Sequence, residues 1–302
     1  MNFKTIQTSN HISVCICTYK RAELLAKLLN ALKDQDSGSF FTYSVVVVDN
    51  DYMGSAREVV HSLKSQSSIS ISYHIEPEQN IALARNRAVA NADGEFIAFI
   101  DDDEFPSKSW LMNLYKSRDE FCADGVLGPV VPSYEGNPPE WVVQGKFYER
   151  PSHRTGEVLN WTNTRTGNVL LRRAIFSIED SMFRPEFGSG GEDRDFFRRM
   201  IAKGMRFVWC AEAPVYEAVP AERCTRSFML RRALLRGQLP HFSSIDLIKS
   251  LVAAPLYALS LPFLLLGAHH VFMKYLIKDC DHIGRICSFL GIRLIKDKYV
   301  IQ

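Results

Sequence analysis

The 302 residues are enough to bury a full core and to hold one large domain with an appendage. With 23% charged residues, 46% hydrophobic residues and a net charge of +2, the composition is that of a globular protein and gives no footing for a general nucleic-acid role. Seven cysteines without paired spacing argue against a disulfide framework, and Cys15 and Cys17, two apart in an apolar run, share a strand face as reduced thiols. The N-terminal MNFKTIQTSNH has no apolar stretch of signal-peptide length, so a cytoplasmic protein is expected.

The first hundred residues alternate between two periods. Short β-branched runs at 12–17, 43–48, 69–75 and 96–100 read as strands. Between them, Leu24, Leu25, Leu28, Leu29 and Leu32 form one helical stripe, and Ile81, Ala84, Ala88 and Ala92 form another. Strands alternating with helices predict βαβ units and a mostly parallel sheet of an α/β fold. Val45 to Val48 has no polar alternation, as expected of a central strand covered on both faces. The segment 132–151 reads as a long loop over one edge.

Ligands in such sheets bind beyond the carboxyl ends of the strands. There the sequence places Thr18-Tyr19-Lys20-Arg21, Asp49-Asn50-Asp51, Glu76 to Asn80, and Asp101-Asp102-Asp103-Glu104. Alternate residues of an extended chain share a face about 6.5–7 Å apart, so Asp101 and Asp103 reach one divalent cation while Asp102 points elsewhere. A plain reading of the same residues is a polar turn with a helix cap ahead of Pro106 and Trp110. Mutual repulsion of three adjacent carboxylates favours the cation, Mn²⁺ or Mg²⁺. Further on, Gly188-Ser189-Gly190-Gly191-Glu192-Asp193 opens a helical run whose stripe is Phe196, Phe197, Met200 and Ile201. Asp193 falls on the inward side of that helix start, placed for general-base work or simply matching the helix dipole.

The C-terminal part differs. Residues 250–273 contain no Asp, Glu, Lys or Arg for 24 positions, long enough to enter a bilayer. Pro255, Pro262 and His269-His270 favour a kinked, re-entrant or surface-lying element over a straight span, and a soluble helical pair is the alternative. Just before it, Arg223, Arg226, Arg231, Arg232 and Arg236 fall within fourteen residues without an acid, which suits phosphate or anionic lipid. The expected organisation is a catalytic domain at 1–240 and a membrane-associated helical region at 241–302.

Several of these segments, taken together, carry a resemblance. Cys15 to Arg21, Val48-Asp49-Asn50, Asn80 to Asn86 with its Ala84-Arg85-Asn86, Phe99 to Glu104, Thr166 to Arg173 and Gly190-Gly191-Glu192-Asp193 occur in this order over roughly residues 12–240. The pattern resembles family 2 glycosyltransferases of the GT-A fold, and most of all bacterial inverting glucosyltransferases that build exopolysaccharides such as succinoglycan. That resemblance implies a GT-A-like sheet with flanking helices and a nucleotide-sugar donor, a UDP-hexose before others. It implies a lipid-linked glycan acceptor and work at a membrane surface on the cytoplasmic side, without nucleic acid. Thr18, Tyr19 and Arg21 then border the nucleoside, Asp49 reads the uracil edge, and Arg85 holds base or diphosphate. Asp101 touches ribose or metal, Asp103 ligates the metal, and Asp193 deprotonates the acceptor hydroxyl.

One departure stands out: relatives often place a histidine metal ligand where this chain has Tyr216, in Val215-Tyr216-Glu217-Ala218-Val219-Pro220, leaving water or Glu217 to complete the shell. Two other readings are a non-catalytic assembly protein of the same fold and a sugar nucleotidyltransferase. The first has no reason to keep Asp101, Asp103 and Asp193 together. The second needs a glycine-rich basic loop after the first strand, which Thr18 to Arg21 is not.

Overall fold

The computed structural model describes residues 10–180, 182–188, 190–238 and 244–295. Ser189 of the glycine loop and residues 239–243 of the expected C-terminal region lie outside the described residues. The chain forms two compact units, one of residues 1–131 and 150–217, the other of 132–149 and 218–302. The sequence boundary at 240 falls inside the second.

The first unit is built on a seven-stranded sheet. Its strands are β1 (Asn10–Thr18), β2 (Phe41–Asp49), β3 (Ser70–Ile75) and β4 (Phe96–Ile100), then β6 (Gly125–Leu127), β8 (Asn168–Arg172) and β9 (Phe207–Trp209). Their order is β3-β2-β1-β4-β8-β6-β9, and all pairings are parallel except those of β8 with β4 and β6. A short β5 (Glu104–Pro106) pairs antiparallel with β10 (Val215–Val219), setting Glu217 opposite Glu104. The chain changes unit within β7 (Val130–Tyr134) and within β10.

Strand alternation divides the core between the two faces of this sheet. Val14, Ile16, Val45 and Val47 pack with Leu25, Leu28, Leu29 and Leu32 of α1 (Ala22–Leu32). The same face takes Val60 of α2 (Arg57–Ser65) and Trp110, Leu111 and Leu114 of α4 (Trp110–Glu120). Cys15, Val46 and Val48 face the other way, onto α3 (Ile81–Ala90) and α6 (Glu192–Ala202). Because helices cover both faces, the uninterrupted Val45 to Val48 run is the expected composition of β2. The α3 stripe holds at Ala84, Ala88 and Ala92, all buried, while Ile81 is half-buried and the helix also buries Ala82, Arg85 and Val89. A charged Arg85 is thus carried on an otherwise small, apolar face.

The second unit contains α5 (Glu140–Gln144), α7 (Arg226–Gly237), α8 (Ser244–Leu264) and α9 (His269–Phe289). Segment 132–149 is no mere loop. Val142 and Tyr148 join Val219, Cys224 and Met229 in a core of their own. α7 and α9 cross at Gly237 and Gly284; a Cβ on Gly284 would lie 2.4 Å from the Leu234 carbonyl oxygen. Arg236 is bidentate to Asp281 on α9, at 3.0 and 2.9 Å, so this member of the arginine run ties helices together.

Asn168, at the start of β8, joins three segments of the first unit. Its amide oxygen accepts from Trp110 Nε1 at 2.8 Å, and its nitrogen donates to the Pro129 and Ala213 carbonyls at 3.0 and 2.8 Å. All of this is buried, so Asn168→Ala strands a donor and two acceptors and should destabilise the protein by about 3 kcal/mol. Urea unfolding followed by tryptophan fluorescence measures the loss.

Candidate active site

The carboxyl ends of the neighbouring strands β1, β2 and β4 supply the site. β1 runs into a tight turn in which Lys20 adopts φ +55, a left-handed conformation rare outside glycine. The turn brings Thr18 and Arg21 back over the end of β4. There the Thr18 hydroxyl donates to Asp102 at 2.8 Å, and Arg21 Nη1 donates to Asp102 at 2.9 Å and to Asp103 at 3.1 Å. β4 ends at Ile100 and residues 101–103 form a turn, closed by the Glu104 N–H on the Asp101 carbonyl at 3.1 Å, so strand alternation does not govern the aspartates: Asp102 and Asp103, expected on opposite sides, share Arg21. Asp101 turns instead toward Arg85, whose Nη2 is 3.5 Å away, and its side chain is 47% exposed. Tyr19 lies beneath the Lys20 ammonium, 5.1 Å from its ring centre.

Asp49 and Asn50 organise the loops after β2 and β3. Asp49 is fully buried and accepts from the Asp51 and Ala56 backbone N–H groups at 3.0 and 2.8 Å and from the Tyr73 hydroxyl at 2.8 Å. Asn50 donates to the Glu76 carbonyl at 3.0 Å and accepts from the Asn80 N–H at 3.0 Å. Asn80 in turn caps α3, accepting from Ala82 and Leu83 N–H. Asp49 therefore already serves as a loop anchor, whatever else it contacts.

Across from α3, the glycine loop leads into α6. Gly188 is packed so closely on Asn80 that a Cβ would sit 2.1 Å from its side chain, so this glycine serves packing within the protein. Gly191, at φ +95, holds the N-cap position of α6 in a conformation that suits glycine. The two acids that follow divide. Glu192 is buried and pairs with Arg85, whereas Asp193 is half-buried, and its carboxylate accepts from the Arg194 N–H at 2.7 Å. Asp193 lies close enough to Asp101 to raise the latter's proton affinity and close enough to Arg165 to stabilise that cation.

Behind Asp101, Glu104 is buried and its carboxylate accepts from the Asp101 N–H at 3.2 Å. Arg150 approaches Glu104 at 4.0 Å and pairs with Glu217. Strand alternation on β10 puts Tyr216 on the opposite side and leaves it exposed, so Glu217 and not Tyr216 faces the acidic group. Glu104, Arg150, Arg165 and the Arg85–Glu192 pair carry no sequence signal of their own, except that Glu104 adjoins the aspartates and Glu192 adjoins Asp193.

Withdrawal from water pushes up the proton affinities of Asp101, Asp102 and Glu104, and the neighbouring carboxylates add to it, against Arg85, Arg21 and Arg150. Asp102 reaches about 6. The carboxyls thus compete for charge in a poorly solvated recess, and a bound cation would relieve that competition. The site's carboxyl groups offer oxygen ligands, which suits a hard divalent cation. Gly167 contributes to the fit: a Cβ there would lie 2.7 Å from Glu104 Oε1 and 3.0 Å from Asp101 Oδ2, so two carboxylates look into the same gap. Among the described residues no group of three or more His, Cys, Asp or Glu side chains is arranged to hold a metal ion. Any cation here takes part of its shell from elsewhere.

A mostly parallel sheet that gathers carboxylates and arginines beyond its strand ends is the arrangement expected of a GT-A-like protein. Residues 13–177, more than half of the chain, match the glycosyl transferase family 2 model, and the protein belongs to that family of glycosyltransferases. It is 37% identical over 233 residues to succinoglycan biosynthesis protein ExoM of Rhizobium meliloti (strain 1021), covering 76% of this chain and 73% of that protein. It is 25% identical over 210 residues to the poly(ribitol-phosphate) beta-N-acetylglucosaminyltransferase TarS of Staphylococcus aureus (strain Mu50 / ATCC 700699), covering 70% of this chain and 36% of TarS. The crystal structure of S. aureus TarS 1-349 superposes with a TM-score of 0.52 at 18% identity, over 95% of this chain and 94% of that one, which establishes a shared fold.

The raised affinity of Asp102 has a definite sign. A carboxyl that holds its proton more tightly when folded contributes stability below its unfolded value, near 4, and loses it as pH rises through about 6. Asp102→Asn should therefore flatten the fall in stability between pH 4 and pH 6. Urea midpoints of both proteins across that window test this; parallel curves would refute it.

Proposed function

We propose that this glycosyltransferase moves a hexose from a UDP-sugar, with inversion, onto a growing lipid-linked glycan of a bacterial surface polysaccharide or exopolysaccharide, working at the cytoplasmic side of the inner membrane. The observation that carries the reading is the convergence of Asp101, Asp103 and Asp193 at the strand ends, with Arg21 and Arg85 among them. Several likenesses support the choice of substrates. ExoM is named for succinoglycan biosynthesis, TarS has been crystallised with UDP and with UDP-GlcNAc, and a Campylobacter jejuni relative, 28% identical over 131 residues, is named for a GalNAc(5)-diNAcBac-PP-undecaprenol acceptor. The apolar α8 supports the membrane location.

In this mechanism Thr18, Tyr19, Arg21 and Asp49 border the nucleoside, Asp49 through whatever acceptor capacity its loop bonds leave. Arg85 draws the diphosphate toward Asp101 at the ribose. Asp101 and Asp103 would hold Mn²⁺ or Mg²⁺, with Glu217 or water available to complete the shell. Such a cation, when bound, supplies positive charge to the departing diphosphate. Asp193 accepts the acceptor hydroxyl's proton at a carboxylate oxygen. The hydroxyl oxygen then bonds to the anomeric carbon as the bond to the diphosphate breaks on the opposite face, so the configuration inverts.

Asp103→Ala should abolish Mn²⁺-dependent UDP binding in calorimetry while the protein still folds, because removing one charge from a repelling group need not cost stability. Undiminished metal-dependent binding would remove Asp103 from the ligand set.

Asp193→Asn should keep UDP binding and lose sugar transfer by about 10²–10⁴-fold, the range for a positioned base. The Arg194 N–H bond favours the competing view that Asp193 is only a helix-start charge. Transfer near the wild-type rate would establish that view and leave a binding or assembly protein as the reading to pursue.

A further inference from the structure

α8 is the one helix among the described residues long and apolar enough to cross a membrane, yet its surroundings in the second unit argue for another placement. We propose that α8 lies in the plane of an anionic phospholipid surface, one face in the lipid, with α9 on its water side. This rests on the membrane location proposed above and narrows it from three possible placements to one.

The exposed face is continuous. Ile245, Ile248, Val252, Leu256, Leu259 and Phe263 recur every three or four residues along the whole of α8, and Phe263 is 80% exposed. Large apolar side chains left in water along a full 21-residue helix mark a surface that something covers.

The opposite face is not one that lipid would cover. Ser250 and Ala254 are buried there. The Ser250 hydroxyl lies 3.1 Å from His282 Nδ1 and 3.1 Å from Arg285 Nη1, both on α9. Tyr257 stacks on the His282 ring at 5.6 Å, and the Lys278 ammonium lies 6.0 Å from the same tyrosine ring. Ser250 and Tyr257 bracket the midpoint of α8, so a crossing α8 would carry a guanidinium, an ammonium and an imidazole to the depth of the bilayer centre. An in-plane helix leaves all three on its polar side.

The prolines add an independent argument. Pro255 and Pro262, both on the exposed face, have no N–H for the carbonyls of Leu251 and Ala258 four residues earlier. In the hydrocarbon core those carbonyls would depend on a neighbouring helix or side chain for a partner, whereas the interface offers water and headgroups directly.

Charge selects the lipid. The second unit has 13 lysines and arginines against 8 acids, a net +5, while the whole chain is only +2. Lys249 is exposed beside Ile248 at the start of the apolar face. A basic unit with an apolar face matches an anionic leaflet rather than a neutral one.

The test uses the full chain. In flotation it should bind vesicles of phosphatidylcholine mixed with phosphatidylglycerol better than vesicles of phosphatidylcholine alone. Leu256→Glu combined with Leu259→Glu should lower binding by about tenfold or more. Lys249→Glu, a single exposed charge that cannot disturb packing, should lower it about fivefold on the mixed vesicles only. In membranes of an expressing bacterium, N- and C-terminal epitopes should be cleaved by protease from the same side. Cleavage from opposite sides would mean that α8 crosses. Failure to bind vesicles, together with a dimer that Leu256→Glu dissolves, would assign the face to a second copy of the chain. UDP-sugar hydrolysis by the same variants should stay unchanged. Its absence from the wild type would overturn the transferase reading without touching the docking result.

Discussion

The arrangement of the first unit turns on one electrostatic problem: four consecutive acids, Asp101 to Glu104, stand at the end of a buried strand. Like charges a few ångströms apart in a poorly solvated recess repel by several kcal/mol at the effective dielectric of such sites. The fold answers by assigning a different basic partner to each part of the run. Arg21 serves Asp102 and Asp103, Arg85 serves Asp101, and Arg150 serves Glu104 along with Glu217. The left-handed turn at Lys20 and the burial of Arg85 on the small face of α3 deliver two of those arginines, and the pairing of β5 with β10 sets Glu104 and Glu217 side by side for the third.

Much of this was legible in the sequence, for reasons of period. Val45 to Val48 is uniformly β-branched because both sheet faces are covered, whereas the alternation expected of the aspartates does not carry past Ile100, where β4 ends and the chain turns. The missing pieces had no period to betray them. Arg150 and Arg165 come from irregular chain well separated in sequence from Glu104 and Asp193, the acids they face, and only the tertiary fold brings them in. The inward turn of Glu192 could not be told from that of Asp193, because both sit in the first turn of α6 and either could match its dipole.

The segment 132–149 shows the opposite failure. Its prolines and glycines are those of a surface loop, and locally it is largely that. Yet Val142 and Tyr148, with Tyr134, Trp141 and Phe147, are enough to draw it into a separate hydrophobic core, whose other members come from residues 219–277. Composition reports the backbone; it does not report which distant side chains a few aromatics will meet. The same limit applied to the arginine run, where one residue of five is held by Asp281 rather than presented as part of a uniform patch.

Adjacent residues Asp49 and Asn50 have a consequence for how a ligand is received. One accepts from the chain that follows β2; the other joins the ends of β3 and α3. Two loops that would otherwise be free to wander are therefore set during folding, by bonds internal to the protein. A ligand arriving at the strand ends meets a rim already in shape and does not have to forfeit affinity in stilling it. The entropy of those loops belongs to the folding equilibrium, which makes recognition here closer to a key entering a rigid lock than to a hand closing.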